Sequence, residues 1–229
     1  MAKVAIVIPA FNESEAIVSV VTAVSVYGRV IVVNDGSADN TGQLALGAGA
    51  IVVEHEFNRG YDMALATGLA KAVEEAFDFA ITLDGDGQHQ PTDIETILYE
   101  LLSGADLVVG IRNRFQRFSE GLFSVLAKLL WGISDPLCGM KGYRTSKLES
   151  VDSLHSYPSI GTELVIRAVR SCWNIRQIPV TTRDRKDRSR FGEGAYANWV
   201  ISKAMLMGIF RARAHTCKKS RKTKRRGVT

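Results

Sequence analysis

Phe79-Ala80-Ile81-Thr82-Leu83 runs directly into Asp84-Gly85-Asp86-Gly87-Gln88-His89. A short apolar run that stops abruptly at acids and glycines reads as a buried strand of a parallel sheet meeting the loop at its carboxyl end. The same pattern recurs on both sides of this stretch. Val4 to Ile8 ends in Pro9-Ala10-Phe11-Asn12-Glu13, and Val30 to Val33 ends in Asn34-Asp35-Gly36-Ser37. Ile51 to Val53 ends in a polar loop up to Gly60, and Leu107 to Val109 in Gly110-Ile111-Arg112-Asn113-Arg114. The intervening segments are long enough for crossover helices, so the expected class is α/β: a mostly parallel, Rossmann-like central sheet, doubly wound, with helices on both faces. In such a sheet ligands bind beyond the carboxyl ends of the strands. All five loops therefore belong on one edge.

Helix signals fill the gaps. Asn12 with Glu15 three residues on reads as a capping box opening a helix to about Val26, and Tyr61 to Ala76 reads as a second crossover. Pro91 suits the first turn of a helix running from Thr92 to about Leu102. Beyond residue 110 the expected elements are helices at Phe118 to Trp131 and Glu163 to Cys172, with strands at Met140 to Arg144 and Ile175 to Thr181. A polar basic loop spans 183 to 194, and an apolar-faced helix spans Tyr196 to Phe210. The expected organisation is an α/β domain over 1–194, an amphipathic helix over 195–212 and a disordered basic tail over 213–229.

Composition narrows the class. With 46% hydrophobic and 23% charged residues in 229, the chain is globular, not disordered and not collagenous. The formal charge of +5 comes from 29 basic and 24 acidic residues, but nine of the 29 lie after Phe210, where there is no Asp or Glu. The basic balance belongs to the tail. Cys138, Cys172 and Cys217 are odd in number and form no C-x-x-C pair, which argues against a disulfide framework and a zinc site and for a reducing compartment. No apolar stretch has the length of a spanning helix. The expected location is cytoplasmic.

Asp84 and Asp86, one residue apart at a strand end with Gln88 close behind, can share a hard divalent cation whose shell substrate phosphates complete; an Asp/Gly turn is the alternative. Asp35 can accept hydrogen bonds from a base or ribose, or simply shape a tight turn ahead of Asp39 as a helix cap. There is no G-x-G-x-x-G after the first strand, no Walker A and no G-x-S-x-G. Dehydrogenase, ATPase and α/β-hydrolase readings lose support together.

The loops in order resemble the inverting family 2 glycosyltransferases of GT-A fold, and within them the dolichol- and polyprenyl-phosphate hexosyltransferases, dolichol-phosphate mannosyltransferases included. The matching stretches are Ile8 to Glu13, Val33 to Ser37 with Asp39 and Thr41, Asn58 to Tyr61, and Leu83 to His89. They continue with Gly110 to Arg112, Asp135-Pro136 with Cys138-Gly139, Gly142 to Arg144, and Ser189 to Gly192. The resemblance implies that Pro9, Ala10, Glu13 and Asp35 hold the donor nucleoside, that Asp84 contacts the nucleotide, and that Asp86 with Gln88 coordinates Mg²⁺ or Mn²⁺. It further implies that Arg112 and the Arg185 to Arg190 loop, Ser189 included, approach the donor and acceptor phosphates, with Asp86, Arg112, Arg185 and Arg190 carrying the transfer; Arg117 offers a further guanidinium for the acceptor phosphate, or belongs to a solvated loop face. Three departures stand out. Asn34 replaces the usual first Asp of the D-D-G-S loop, Asp62 falls where Gly is common, and Arg190 takes the place of a lysine.

The implied activity is metal-dependent transfer of a hexose from a GDP- or UDP-linked donor to a polyprenyl or dolichyl phosphate, at the cytoplasmic face of a membrane. A glycan or small-molecule acceptor is the alternative, and a basic nucleotide- or RNA-binding protein is the alternative from another class. His89, Asp135 and Glu163 are weaker landmarks near the expected cleft, and His55, His155 and His215 have no metal-ligand spacing. The basic tail fits anionic lipid headgroups better than nucleic acid.

Overall fold

The computed structural model describes residues 2–113, 118–151, 154 and 160–182. The expected helix at Tyr196 to Phe210, the basic loop, the tail and the boundaries at 194 and 212 lie outside these residues.

Seven strands form one sheet: β1 (Val4–Ala10), β2 (Arg29–Asn34), β3 (Ile51–Glu54), β4 (Phe79–Thr82), β5 (Leu107–Arg112), β6 (Lys141–Arg144) and β7 (Ile175–Val180). Their order is β3-β2-β1-β4-β6-β5-β7. All neighbours pair in parallel except β6, which lies antiparallel between β4 and β5. The expected mostly parallel sheet is therefore present, with one reversed strand inserted at its middle.

Every residue of β1 is buried, which explains why its sequence shows no apolar/polar alternation: both faces are covered. The period of two survives in which cover each residue meets. Ile6 and Ile8 pack with Val20, Val21, Ile94 and Ile97, whereas Ala5 and Val7 pack with Leu65, Leu69, Leu164 and Val165. Helices α1 (Ile17–Val24), α2 (Thr41–Gly47) and α4 (Asp93–Leu102) thus lie on one face, and α3 (Tyr61–Glu74), α6 (Thr145–Glu149) and α7 (Ile160–Arg170) on the other. Helix α5 (Phe118–Trp131) buries Phe123 and Ala127, and Phe123 meets Trp131 edge to face at 6.3 Å.

One local expectation is corrected. Asn12 does not cap α1, which begins at Ile17 without a side-chain cap. Its φ is +54°, its amide N–H donates to Ser37 Oγ at 3.0 Å, and its Oδ1 accepts from the Ala38 amide at 2.9 Å. Asn12 ties the first loop to the second instead. The helix α2 follows Asp39, as the helix-cap reading of that residue expects: Asp39 Oδ1 accepts the Thr41 amide at 3.0 Å, and buried Thr41 and Ala45 hold the helix in place. Cys138 is a buried free thiol.

Candidate active site

Parallel pairing brings the carboxyl ends of β1, β2, β3 and β4 to one edge, and loop hydrogen bonds join them there. The Asp35 amide donates to Ala10 O at 2.9 Å and the His55 amide to Asn34 O at 2.9 Å. Beyond β1, the Glu13 amide donates to Thr41 Oγ1 at 2.8 Å. Pro9 and Ala10 are buried and Glu13 is half-buried. Asn34 Nδ2 donates to Glu54 Oε2 at 2.7 Å, and the Asn34 oxygen accepts from the Ser37 hydroxyl. An aspartate at this position would face Glu54 as a second negative charge, so the departure at Asn34 is matched by its neighbour on β3.

Asp35 is 3% exposed, and its carboxylate is well supplied with donors. Oδ1 lies 2.6 Å from His55 Nδ1 and accepts from the Arg59 amide at 2.9 Å; Oδ2 accepts from the Gly60 amide at 2.8 Å. The far nitrogen of His55 lies 3.0 Å from Thr67 Oγ1 on α3. Asp35 therefore pins the turn that launches α3, through a buried chain of three side chains. Gly36 makes the turn possible. Its φ is +68°, and a Cβ there would stand 2.5 Å from the Phe57 carbonyl carbon.

The acidic loop after β4 lies beside the end of β1: a Cβ on Gly85 would be 3.4 Å from Pro9 O. Asp86 Oδ1 accepts the Gln88 amide at 3.1 Å, closing a tight turn in which Gly87 has φ +73°. Asp86 and Gln88 are both half-buried and offer hard oxygen donors of the kind Mg²⁺ and Mn²⁺ take. Among the described residues no group of three His, Cys, Asp or Glu could hold a metal by itself. The donor set fits a cation whose remaining ligands come from substrate phosphates.

Asp84 is held from two sides. His89 Nε2 lies 3.5 Å from Asp84 Oδ2, and a Cβ on Gly139 would stand 2.6 Å from the same oxygen. His89 is buried, not a solvated loop residue, and its backbone bridges to Thr182 just past β7. Behind Gly139, Thr82 Oγ1 donates to Gly139 O at 2.8 Å, and the buried Lys141 ammonium donates to Cys138 O. Burial drives the Lys141 pKa down and pushes the Cys138 thiol up to about 12. Asp62, on the first turn of α3, accepts the Ile160 and Gly161 amides at the start of α7. Burial raises it to about 6 against the pull of those bonds and of Lys141.

Arg112, at the end of β5, is the one expected phosphate-binding arginine that the structure describes. Its Nε and Nη2 grip Asp135 at 2.8 and 3.1 Å, and its backbone amide donates to the same carboxylate at 3.1 Å. Nη1 lies 3.2 Å from Glu120 Oε2 on α5. Burial disfavours the charge, but the hydrogen bonds to Asp135 outweigh it and hold the pKa above the ordinary value. Asp135 is 1% exposed, so it orients Arg112 rather than capping a turn in solvent. Arg114, Arg117, Arg185, Arg188, Ser189 and Arg190 lie outside the described residues.

Sequence reasoning missed His55, Thr67, Lys141 and Glu120. Lys141 carried a signal, as a charge opening a strand directly after the apolar Met140. The other three act with partners far along the chain, or on another element, and carried none.

Residues 5–151 match the family described as Glycosyl transferase family 2. The chain is 28% identical over 212 residues to the UDP-N-acetylglucosamine–dolichyl-phosphate N-acetylglucosaminyltransferase of Methanococcus voltae, covering 77% of this chain and 84% of that protein. It is 29% identical over 218 residues to the dolichyl-phosphate hexose transferase of Haloferax volcanii, covering 88% and 93%. In fold it is similar to the crystal structure of glucosyl-3-phosphoglycerate synthase from Mycobacterium tuberculosis in complex with Mn²⁺ and UDP-glucose. The TM-score is 0.75 at 22% identity, covering 95% of this chain and 81% of that one. The sheet and its layers are those of the GT-A fold.

Proposed function

The chain belongs to glycosyl transferase family 2, and from that premise we propose that it transfers a hexose from a GDP- or UDP-linked donor to a polyprenyl or dolichyl phosphate, with inversion. The observation that carries this reading is the Asp84-Gly85-Asp86 loop, seated at the end of β4 against Pro9 and backed by His89 and Gly139. The relatives named as dolichyl-phosphate transferases support the acceptor class.

Pro9, Ala10 and Glu13 hold the nucleoside together with Asp35, whose carboxylate also fixes the Arg59-Gly60 turn beside it. Asp84 orients the nucleotide. Asp86 and Gln88 hold Mg²⁺ or Mn²⁺, which when bound offsets the charge that develops on the leaving diphosphate. A lipid monophosphate has a second pKa near 6 and is mostly dianionic at neutral pH. It needs no dedicated base, so the work of the protein is to gather two anions without repulsion. Arg112 is pre-set for this by Asp135, and Arg117, Arg185, Ser189 and Arg190 supply the remaining donors.

Among the described residues no helix is long and apolar enough to cross a membrane. The protein works as a peripheral enzyme at the cytoplasmic face, with its basic tail against anionic headgroups. A soluble phosphorylated acceptor is the second reading, favoured by the fold likeness to a phosphoglycerate-glycosylating enzyme.

A donor screen against polyprenyl phosphate and, in parallel, phosphoglycerate tests the proposal. Label from one nucleotide-sugar should enter the lipid. Exclusive labelling of phosphoglycerate would establish the second reading instead.

A further inference from the structure

Most of the Asp35 carboxylate is already in use. Its two oxygens offer about four acceptor positions. Oδ1 takes two donors, His55 Nδ1 at 2.6 Å and the Arg59 amide at 2.9 Å, and Oδ2 takes the Gly60 amide at 2.8 Å. Among the described residues that leaves one position, on Oδ2. A carboxylate only accepts, so Nδ1 carries the His55 ring proton, and in the neutral ring Nε2 accepts from the Thr67 hydroxyl at 3.0 Å. The ring is therefore held at both nitrogens, and its backbone amide donates to Asn34 O at 2.9 Å. His55 is 8% exposed and Asp35 3%. Water does little at this depth for a polar atom that finds no partner.

We infer that His55 is a positioning residue for the donor base, and that through Asp35 it selects uracil over guanine. The inference rests on the nucleotide-sugar reading above and decides between its two donors. Uracil presents a single ring N–H between two carbonyl oxygens, and the one open position on Oδ2 takes it. Guanine presents two adjacent donors, N1–H and the exocyclic amine, which a carboxylate meets with both oxygens at once. Here Oδ1 is filled by His55 and the Arg59 amide, so one of the two guanine donors is left without an acceptor beside a buried group. Two of the three donors on Asp35 are backbone amides of the turn that launches α3. His55 is the one side chain among them, and so the one that a substitution removes.

The test titrates UDP and GDP separately into the full chain with Mn²⁺ present and reads both affinities by calorimetry, with no sugar and no acceptor. Wild type should bind UDP at least about tenfold more tightly than GDP. His55→Leu removes the donor on Oδ1, so UDP binding should weaken and the preference should narrow to about threefold or less. His55→Asn places a side-chain N–H where Nδ1 stands and should keep the preference. Thr67→Val copies the shape of threonine without its hydroxyl, frees the ring from α3 and should narrow the preference in the same direction; it carries the test if His55→Leu does not fold. A general loss of packing would weaken both nucleotides alike and leave their ratio unchanged.

Equal affinity for the two nucleotides in wild type, or tighter binding of GDP, would overturn the inference while leaving the glycosyltransferase reading in place. A preference that survives both His55→Leu and Thr67→Val would take base selection away from His55. A preference lost in His55→Asn as fully as in His55→Leu would overturn the hydrogen-bond account of it. Binding of neither nucleotide would instead refute the nucleotide-sugar reading on which the inference rests.

Discussion

Replacing Gly139 with alanine drives a methyl group into the Asp84 carboxylate. The new Cβ would stand 2.6 Å from Oδ2 and 2.9 Å from both Cγ and Oδ1. Ordinary van der Waals contact begins near 3.4 Å, so the carboxylate has to retreat by somewhat less than 1 Å. It cannot go far in the direction of His89, whose Nε2 is already 3.5 Å from Oδ2. The backbone itself accepts alanine, because Gly139 is not in the left-handed region. Strain is therefore confined to one side chain turned away from its rotamer, worth about 0.5–1.5 kcal/mol. In a protein of this size that lowers Tm by about 1–6 °C. Catalysis is far more sensitive, since a misplacement of about 1 Å in a positioned group can lower turnover about 100-fold. The assay is steady-state sugar transfer beside a thermal melt of the same preparation. A Gly139→Ala variant with wild-type turnover and a wild-type melt would refute the role given to Asp84. A collapse in Tm with no folded fraction would show that Gly139 is needed by the fold instead.

Asp86→Asn should lower transfer by about 10²–10³ and remove the metal dependence of donor-diphosphate binding while the fold survives, as titration calorimetry with and without chelator would read. Equal affinity in every combination of variant and chelator would remove Asp86 from the metal site. Asp62 has a folded pKa of about 6 against an unfolded value of about 4. Folding therefore takes up a proton between these values, so this group's contribution to stability falls as pH rises through that window. The ionised form is opposed by burial and Glu163 and supported by Lys141 and the α7 amides, for a cost at pH 7 of up to about 3 kcal/mol. Asp62→Asn should raise Tm at pH 7 and flatten the wild-type decline between pH 4 and 6; an unchanged pH profile would contradict the burial of that charge. Arg190→Ala should reduce turnover on lipid phosphate while changing stability by less than about 0.5 kcal/mol, and unchanged turnover would take that loop out of the site.

The strands were legible because burial on both faces leaves a blunt signal. β1 and β2 are Val/Ile-rich runs and β4 a short apolar one, and their ends differ from the expected ones by a residue or two. Helices α3, α4, α5 and α7 were legible through their apolar stripes, such as Ile94, Ile97 and Leu101 on α4. The position of β6 was not. Nothing within Lys141–Arg144 says that it pairs antiparallel with both β4 and β5, because that choice is made by strands about 35 to 60 residues away. The start of α1 failed for a related reason: Asn12 carries a cap signature, but Ser37 and Ala38 of the next loop compete for it and win.

The site divides in the same way. The position of Asp84 and Asp86 could be read from the sequence, since acids and glycines directly after a buried strand fall on the edge of the sheet where ligands bind. The residues that support them could not. His55 matters through Asp35 and Thr67, Lys141 through Cys138 and the buried charges around it, and Glu120 through Arg112. Each is defined by what folding brings near it. Arg112 was read as a charge near the expected cleft, and its pairing to Asp135 became visible only in three dimensions.

The central claim is transfer of one hexose, with inversion, onto the phosphate of a polyprenyl or dolichyl lipid. The measurement that addresses it most directly is the structure of the product extracted into organic solvent after incubation with nucleotide-sugar, divalent metal and lipid phosphate. Mass spectrometry should show a single hexose added to the lipid phosphate, and the anomeric proton coupling should show the configuration opposite to that of the donor. Product with the donor's configuration, or sugar found only on a water-soluble acceptor, would contradict the account.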